Sequence, residues 1–287
     1  MPHQTGYVRH FVACNEHDLR DFKPLYIGGK RYGYVLNELA GLLLSETPVF
    51  DVAADGIALK AKFENFDGRS DALRTAAQWI AKHYDRPLRD EMYAVVEEWG
   101  DEPVAQVDRA AIPWLGTRAW GVHVNGYVRK KDGLYLWAGE RALDRPSAPG
   151  QLDNIIGGGQ PIGLTIEENL CKEAMEEAGI AREIALTAVR AGEVDYRQAR
   201  EDGLRTDTLV VYDLELPDGY MPRNTDGEVA AFHLFPVEEI AKIVRETDRF
   251  KLNCNLIIID FLMRHGVITQ KDAEYAALRG WISGAEK

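Results

Sequence analysis

The most constraining feature of this sequence is residues 157–180, GGGQPIGLTIEENLCKEAMEEAGI, in which three glycines precede a segment with helical periodicity. Thr165 and Glu168 have the spacing of a capping box, which favours a helix that begins at this point. Gly179 is placed to end the helix, and apolar or small residues recur every four positions between its ends. The stretch therefore predicts a glycine loop followed by one amphipathic helix.

The acidic residues of this helix are concentrated in its second half. Glu173, Glu176 and Glu177 lie at i, i+3 and i+4, so their carboxylates converge on one face, and Lys172 is the only cation near them. A solvated acidic face is one interpretation of the helix taken alone. The preceding glycines favour a second interpretation, a metal site. Glycine lets backbone carbonyls approach a ligand closely, and hard cations such as Mg²⁺ bind clustered oxygens.

The flanking segments predict an α+β chain with two domains. Residues 1–115 mix short strand-like and helical pieces, such as PLYIGGKRYGYVL and DALRTAAQWIAKHY. Residues 116–287 begin with a predicted hairpin, WGVHVNGYV and LYLWAG, around a turn that contains glycine. After residue 180 we expect three strands, LTAVRAGEV, TLVVYDLEL and EVAAFHLF, and then three helices, VEEIAKIV, NLIIIDFLMRH and DAEYAALRGWI.

Composition narrows the classes of function. The formal net charge of −12 argues against a surface for nucleic acid or anionic membrane, since either requires a positive field. The three cysteines have no metal-site spacing, and no segment approaches the roughly 20 apolar residues of a membrane-spanning helix. The N-terminus has no apolar core of signal-peptide length, so we expect a cytoplasmic protein. Nothing in the sequence specifies an oligomeric state.

The glycine and glutamate spacing resembles the signature of the Nudix hydrolase family, GX5EX7REUXEEXGU, where U is a bulky apolar residue. The first glycine of the signature falls on Gly158, its Arg-Glu pair on Lys172 and Glu173, and its paired glutamates on Glu176 and Glu177. The resemblance implies the Nudix fold, a mixed sheet sandwiched between helices, over roughly the last 170 residues. Two positions depart from the signature, because Leu164 replaces its first glutamate and Lys172 its arginine.

With these departures, the sequence is similar to one branch of the family, the thiamine-pyrophosphokinase-associated Nudix proteins. That branch has a Gly-Leu-Ser/Thr stretch where the first glutamate usually stands, and residues 163–165 here are GLT. It also has a separate N-terminal domain of uncharacterised role, which residues 1–115 resemble best at LYIGGKRYGYV. Resemblance to the branch implies hydrolysis of a small substrate, thiamine diphosphate or a damaged analogue, to the monophosphate.

The resemblance also implies roles for individual residues. Glu173, Glu176 and Glu177 are expected to bind Mg²⁺ or Mn²⁺ with help from the Gly158 carbonyl, while Lys172 steadies Glu173. Two residues compete for the role of general base, Glu228 and Glu177. Arg141 and Arg145, on the loop after the hairpin, are expected to bind phosphate, with ordinary surface charge as the alternative.

Other functions of the same fold stay open at this point. A Nudix pyrophosphatase for nucleotide sugars or dinucleotides needs the same metal centre. An isopentenyl diphosphate isomerase shares the fold, but its Cys and Glu acid/base pair and its metal-binding histidines have no counterpart that the sequence lets us place. A non-catalytic module that binds a phosphorylated metabolite is the alternative outside the enzymes, and three clustered carboxylates argue against it.

Overall fold

The first part of the chain forms a small α+β unit. The structure is a computed structural model that describes residues 5–284. Its N-terminal elements are α1 (Val8–Cys14), β1 (Phe22–Ile27), β2 (Lys30–Leu36), α2 (Asn37–Glu46), β3 (Phe50–Val52), β4 (Ile57–Leu59), α3 (Phe66–His83), β5 (Met92–Val95), β6 (Ala105–Asp108) and α4 (Ile112–Leu115). Short 3-10 turns occupy Leu19–Asp21 and Arg109–Ala111. Strands β2-β1-β4-β3 form one sheet in that order, and β5 pairs with β6.

The second part is built on a seven-stranded mixed sheet. Its elements are β7 (Arg118–Lys130), β8 (Gly133–Arg141), β9 (Leu152–Asn154), β10 (Ile156–Gly159), α5 (Ile166–Ala178), α6 (Arg182–Ala185), β11 (Val189–Arg200), β12 (Gly203–Glu215), β13 (Val229–Pro236), α7 (Val237–Glu246), α8 (Leu252–Arg264) and α9 (Tyr275–Ile282). The strand order is β11-β12-β7-β8-β13, with β10 paired to β7 and β9 to β8. β12 runs parallel to β7, and the other pairs are antiparallel.

Two apolar cores cover the two faces of this large sheet. On one face, α5 packs against residues such as Val124 and Val210. On the other face, α7 and α8 pack against residues such as Leu209 and Val211, whose side chains alternate with the first set along β12. The result is the expected α+β architecture, in which helices enclose a mixed sheet.

A third core lies entirely within residues 25–115, where α2 and α3 cover the small sheet. The first helix, α1, belongs elsewhere, because Phe11 and Cys14 are buried in the core formed with α8 and β11. The N-terminal segment thus crosses to the larger unit before the chain builds the smaller one. The division of the chain at residue 115 stays a prediction.

The predicted elements of the second part are confirmed. The hairpin is β7–β8, with Lys130 opposite Gly133 at its turn. The three later strands are β11, β12 and β13, and the three helices are α7, α8 and α9. The three glycines differ from the prediction, because they lie in strand β10 and not in a loop. No helix within residues 5–284 has the length and apolar character to cross a membrane.

Helix α5 begins and ends as its sequence predicts. The Thr165 hydroxyl accepts a hydrogen bond from the Glu168 amide at 3.1 Å, and the Glu168 carboxylate accepts one from the Thr165 amide at 2.8 Å. Gly179 ends the helix at φ 63°, in the left-handed region where a side chain is disfavoured. These two ends fix the register of the glutamates between them.

We predict that Thr165→Ala lowers the free energy of unfolding by about 1 kcal/mol, because it removes the cap of an otherwise unsatisfied helical amide. Thr165→Ser, which keeps the hydroxyl, is the matched control and should unfold close to the wild type. Chemical denaturation followed by circular dichroism measures both. Equal stability of the alanine and serine variants would contradict the capping role.

Candidate active site

The glycine strand forms the floor under helix α5. β10 pairs antiparallel with the first half of β7, which places Gly158 opposite Val122 on the face covered by the helix. A Cβ atom added at Gly158 would lie 2.2 Å from the Cδ atom of Glu173. The Glu173 carboxylate therefore occupies the space of the missing side chain, so only glycine lets this glutamate lie against the strand.

Glu177 is fixed to the same strand one residue away. Its carboxylate oxygen Oε2 accepts a hydrogen bond from the Gly157 amide at 2.7 Å, and the residue is buried. Burial and the nearby carboxylate of Asp153 raise the pKa of Glu177 to about 8, although the Gly157 amide opposes the shift. A buried carboxylate of this kind is stabilised by a cation beside it.

Lys172 is the cation that the chain itself supplies. Its ammonium group donates to Glu173 at 3.0 Å and to Glu176 at 2.7 Å. Burial raises the pKa of Glu173, and Lys172 opposes this effect. Burial lowers the pKa of Lys172 in turn, but its hydrogen bonds to Glu176 and Glu173 outweigh that effect, so its pKa is raised. Lys172 is thus hydrogen-bonded to both glutamates, and its expected role of steadying Glu173 stays a prediction.

The structure brings Glu173 and Glu177 to the glycine strand but leaves Glu176 near the surface. The Glu176 side chain is 44% exposed, against 12% for Glu173. The ligand atoms of the three glutamates do not all lie within 4.8 Å of one another. In the described part of the chain, the group of His, Cys, Asp and Glu side chains that meets this distance is another one. Its members are His123, Asp153 and Cys254.

This buried group supports the glycine strand from the opposite side. A Cβ atom added at Gly157 would lie 3.0 Å from the His123 ring, and the Cys254 thiol donates to Asp153 at 2.7 Å. Asp153 also pairs with Arg141 at 2.8 Å and with Lys251 at 3.1 Å. Two positive charges already neutralise its carboxylate and oppose a further cation, so we interpret the group as an ion-pair network.

The pKa shifts of Asp153 and His123 indicate the protonation states of these two side chains. Burial raises the pKa of Asp153, but Lys251, His123 and Arg141 outweigh it, and the net result is a lowered pKa. Burial lowers the pKa of His123 to about 4, so its ring is neutral at pH 7 and accepts or donates one hydrogen bond with Asn154. We therefore interpret His123 as a structural residue. Nothing in the sequence marks Asp153, because its partners are distant along the chain.

The remaining predicted residues lie on the side of the site formed by β8 and β13. Arg141 is only 12% exposed, and its guanidinium donates to Asp153 and to the Ser147 carbonyl. Arg145 pairs with Glu228 at 2.7 Å. The segment that leads to Glu228 is bonded to the end of α5, with the Thr225 amide donating to the Glu176 carbonyl at 3.1 Å.

Comparison with known proteins shows the family of the chain. A family model described as the NUDIX domain matches residues 119–254. Nudix hydrolase 20, chloroplastic, of Arabidopsis thaliana is 34% identical over 286 residues, covering 96% of this chain and 76% of that protein. Nudix hydrolase 24, chloroplastic, of the same plant is 35% identical over 279 residues, with 96% and 76% covered. The chain belongs to the Nudix hydrolase family.

Membership establishes the general chemistry of the protein. It is a hydrolase that acts on pyrophosphate bonds of small molecules, and Nudix hydrolases generally use divalent metal ions. A solved structure from Deinococcus radiodurans is 22% identical, with a TM-score of 0.43, and covers 60% of this chain and 99% of its own. Residues 6–119 match a model described as a domain of unknown function, DUF4743, so the Nudix hydrolase also has a recognised N-terminal domain.

We predict that Gly158→Ala displaces the Glu173 carboxylate and lowers hydrolase activity by about 10- to 100-fold, the usual cost of disturbing a group that orients a metal ligand. Gly41→Ala is the matched control, because a Cβ atom at this helical position meets nothing within 4 Å. Activity is measured with a diphosphate substrate, and thermal unfolding verifies that both variants fold. A folded Gly158→Ala protein with wild-type activity would contradict the account.

Proposed function

We propose that Glu173, Glu177 and the Gly158 carbonyl bind the divalent cation, Mg²⁺ or Mn²⁺, with Glu176 as a further ligand, and that the substrate is thiamine diphosphate or a damaged analogue of it. The observation that supports this proposal is the seating of two glutamates on neighbouring residues of one glycine strand. Glu173 lies against Gly158, and Glu177 accepts the amide hydrogen of Gly157.

The donor set suits a hard divalent cation. Carboxylate and carbonyl oxygens are the ligands that Mg²⁺ and Mn²⁺ prefer. The glycine strand provides a cradle that a Cβ atom at Gly158 would fill, and the Lys172 ammonium already places a positive charge between two of the glutamates. Lys172 then has the task of holding Glu173 and Glu176 in position. When bound, the ion neutralises phosphate charge and lowers the pKa of water.

Hydrolysis forms a bond between a water oxygen and phosphorus and breaks the bridging bond between phosphorus and oxygen. With thiamine diphosphate, attack on the outer phosphorus releases phosphate and thiamine monophosphate. The attacking water loses a proton, which a carboxylate near the site must accept. We assign this role to Glu228, because the segment before it is bonded to the end of helix α5 and Glu177 is already engaged as a ligand.

The two arginines predicted to bind phosphate differ in which of their N–H donors are already hydrogen-bonded. Arg141 is committed to Asp153 and to the Ser147 carbonyl, which gives it a structural task as well. The Arg145 side chain is 30% exposed, and its Nε atom has no hydrogen-bond partner within the described residues. Of the two, Arg145 is the better placed to bind a phosphate group, in exchange for its ion pair with Glu228.

The proposed substrate rests on sequence resemblance. The GLT stretch at residues 163–165 and the additional N-terminal domain are the features shared with the thiamine-pyrophosphokinase-associated branch. The N-terminal domain matches a model described as a domain of unknown function, so this match does not indicate a substrate. A cytoplasmic location stays a prediction, and the two Arabidopsis relatives are named as chloroplastic proteins.

We predict that the protein with Mg²⁺ releases phosphate from thiamine diphosphate and oxythiamine diphosphate. Glu173→Gln should lower the rate at least about 100-fold, because it removes a ligand where loss of an outer-shell partner alone costs 10- to 100-fold. Glu167→Gln, an equal charge change on an exposed position of the same helix, is the control. Release from nucleotide sugars or dinucleotides alone would move the assignment to that class, and binding without turnover of any diphosphate would indicate a regulatory module.

The base and the ligand are distinguished by a second comparison. We predict that Glu228→Gln lowers kcat by about 100-fold or more, the usual contribution of general-base catalysis, with Mn²⁺ affinity unchanged. Glu177→Gln should weaken Mn²⁺ binding, measured by titration calorimetry, because it removes a ligand oxygen. If Glu177→Gln binds Mn²⁺ as the wild type does while Glu228→Gln binds it weakly, the two assignments must be exchanged.

A further inference from the structure

The N-terminal domain is bonded to the glycine strand at the place where it leads into helix α5. The Ile162 amide donates to the Met92 carbonyl of strand β5 at 2.8 Å. The next residue, Tyr93, covers Gly159, since a Cβ atom added there would lie 1.6 Å from the tyrosine hydroxyl oxygen. The third glycine of the strand therefore makes room for a side chain of the other domain, as Gly158 makes room for Glu173.

Arg109 reaches the same position from the end of strand β6. Its guanidinium carbon lies 3.5 Å from the Cβ position at Gly159 and 5.8 Å from the centroid of the Tyr93 ring. One of its N–H groups donates to Glu91 at 2.8 Å, and the side chain is 52% exposed. A guanidinium has five N–H donors, so Arg109 stands beside the glycine strand with donors available to a ligand.

A second guanidinium, that of Arg205, belongs to strand β12 of the large sheet. Arg205 on β12 has a buried Nε atom with no hydrogen-bond partner within residues 5–284, and its nearest acidic group, Asp207, is 4.0 Å away. Burial lowers the pKa of Arg205 and Arg109 lowers it further, although Asp207 and other neighbours raise it overall. A buried guanidinium donor without a partner favours an anionic acceptor beside it.

The Arg109 guanidinium also lies near the proposed metal-binding residues. The Arg109 guanidinium and the Glu173 carboxylate are close enough to act on each other electrostatically. The glycine strand thus has the Glu173 carboxylate against Gly158 and, at the next residue, the Arg109 guanidinium against the opposite face at Gly159. A diphosphate bound by a metal ion has negative oxygens left over, and a planar guanidinium binds such oxygens in pairs.

We propose that Arg109 is a substrate-binding residue which the N-terminal domain contributes to the Nudix site, and that its guanidinium binds the diphosphate group of the substrate beside Gly159. This inference rests on the proposed metal centre, because the diphosphate is held against the same strand. The N-terminal domain then has a function in the reaction: it completes the phosphate-binding surface that the Nudix domain leaves open.

The test is the binding of methylene diphosphonate, whose P–C–P bridge resists hydrolysis, to the whole chain in Mg²⁺ by titration calorimetry. Arg109→Met should weaken binding about tenfold or more, the expected loss of hydrogen bonds from a charged group, and Arg109→Lys should fall between the two. Arg74→Met is the matched control, since Arg74 is an exposed residue of the same domain that pairs with Asp71.

Glu91→Gln separates ligand binding from structural support. It breaks the same ion pair as Arg109→Met but keeps the guanidinium and frees one of its donors. If Arg109 binds the diphosphate, Glu91→Gln binds methylene diphosphonate at least as tightly as the wild type. If Arg109 only supports the domain contact, Glu91→Gln and Arg109→Met lose affinity alike, and the proposal is overturned.

The failure of this inference is distinguishable from that of the proposed function. If Glu173→Gln turns over diphosphates as the wild type does, the metal centre is wrong whatever Arg109 does. If Glu173→Gln is inactive while Arg109→Met binds methylene diphosphonate with wild-type affinity, only the role of Arg109 is wrong. A wild-type protein that does not bind methylene diphosphonate in Mg²⁺ also overturns the proposal.

Discussion

The close approach of helix α5 to the glycine strand is the constraint on which the site depends. Two carboxylates with raised pKa lie against a strand that has no side chains there, so their burial is tolerated only because backbone amides and Lys172 offset part of its cost. The capping box and the left-handed Gly179 set the register of the helix. A shift of one residue would rotate both glutamates away from β10.

The strand itself is held from several sides. Beneath it, Asp153 joins Arg141, Lys251 and Cys254 into a buried network in which two cations pair with one carboxylate. Removing one partner of such a network leaves an uncompensated buried charge, so its effect on the site is expected to be indirect but large. Beside it, the N-terminal domain supplies the Met92 carbonyl and the side chains that cover the last glycine. The position of the glycine strand is therefore a property of both domains.

Much of this was predictable from the sequence because the relevant signals are local. The helix caps, the hairpin turn at Lys130 and Gly133 and the alternation along β12 each depend on residues close together in the chain. The sequence predicts a loop for the glycines because glycine is depleted in strands, whereas pairing with β7 holds them extended. Tertiary context overrode local preference at that point.

The parts of the site that the sequence did not reveal are those made by distant residues. Asp153 meets Lys251 and Cys254 across 98 and 101 positions of sequence, and Arg109 meets Gly159 across a domain boundary. Neither contact leaves a periodic or spaced pattern. Arg141 shows the converse, because its position after the hairpin suggested a ligand contact while its guanidinium is largely occupied by Asp153 and the Ser147 carbonyl.

The proposed function depends on a divalent-metal site formed by two glutamates of helix α5 and the Gly158 carbonyl of the glycine strand. Anomalous diffraction from crystals soaked in Mn²⁺ tests it most directly. We expect a manganese peak in contact with carboxylate oxygens of Glu173 and Glu177 and with the Gly158 carbonyl. A peak at His123, Asp153 and Cys254 instead, or no peak on the glycine strand at saturating Mn²⁺, would contradict it.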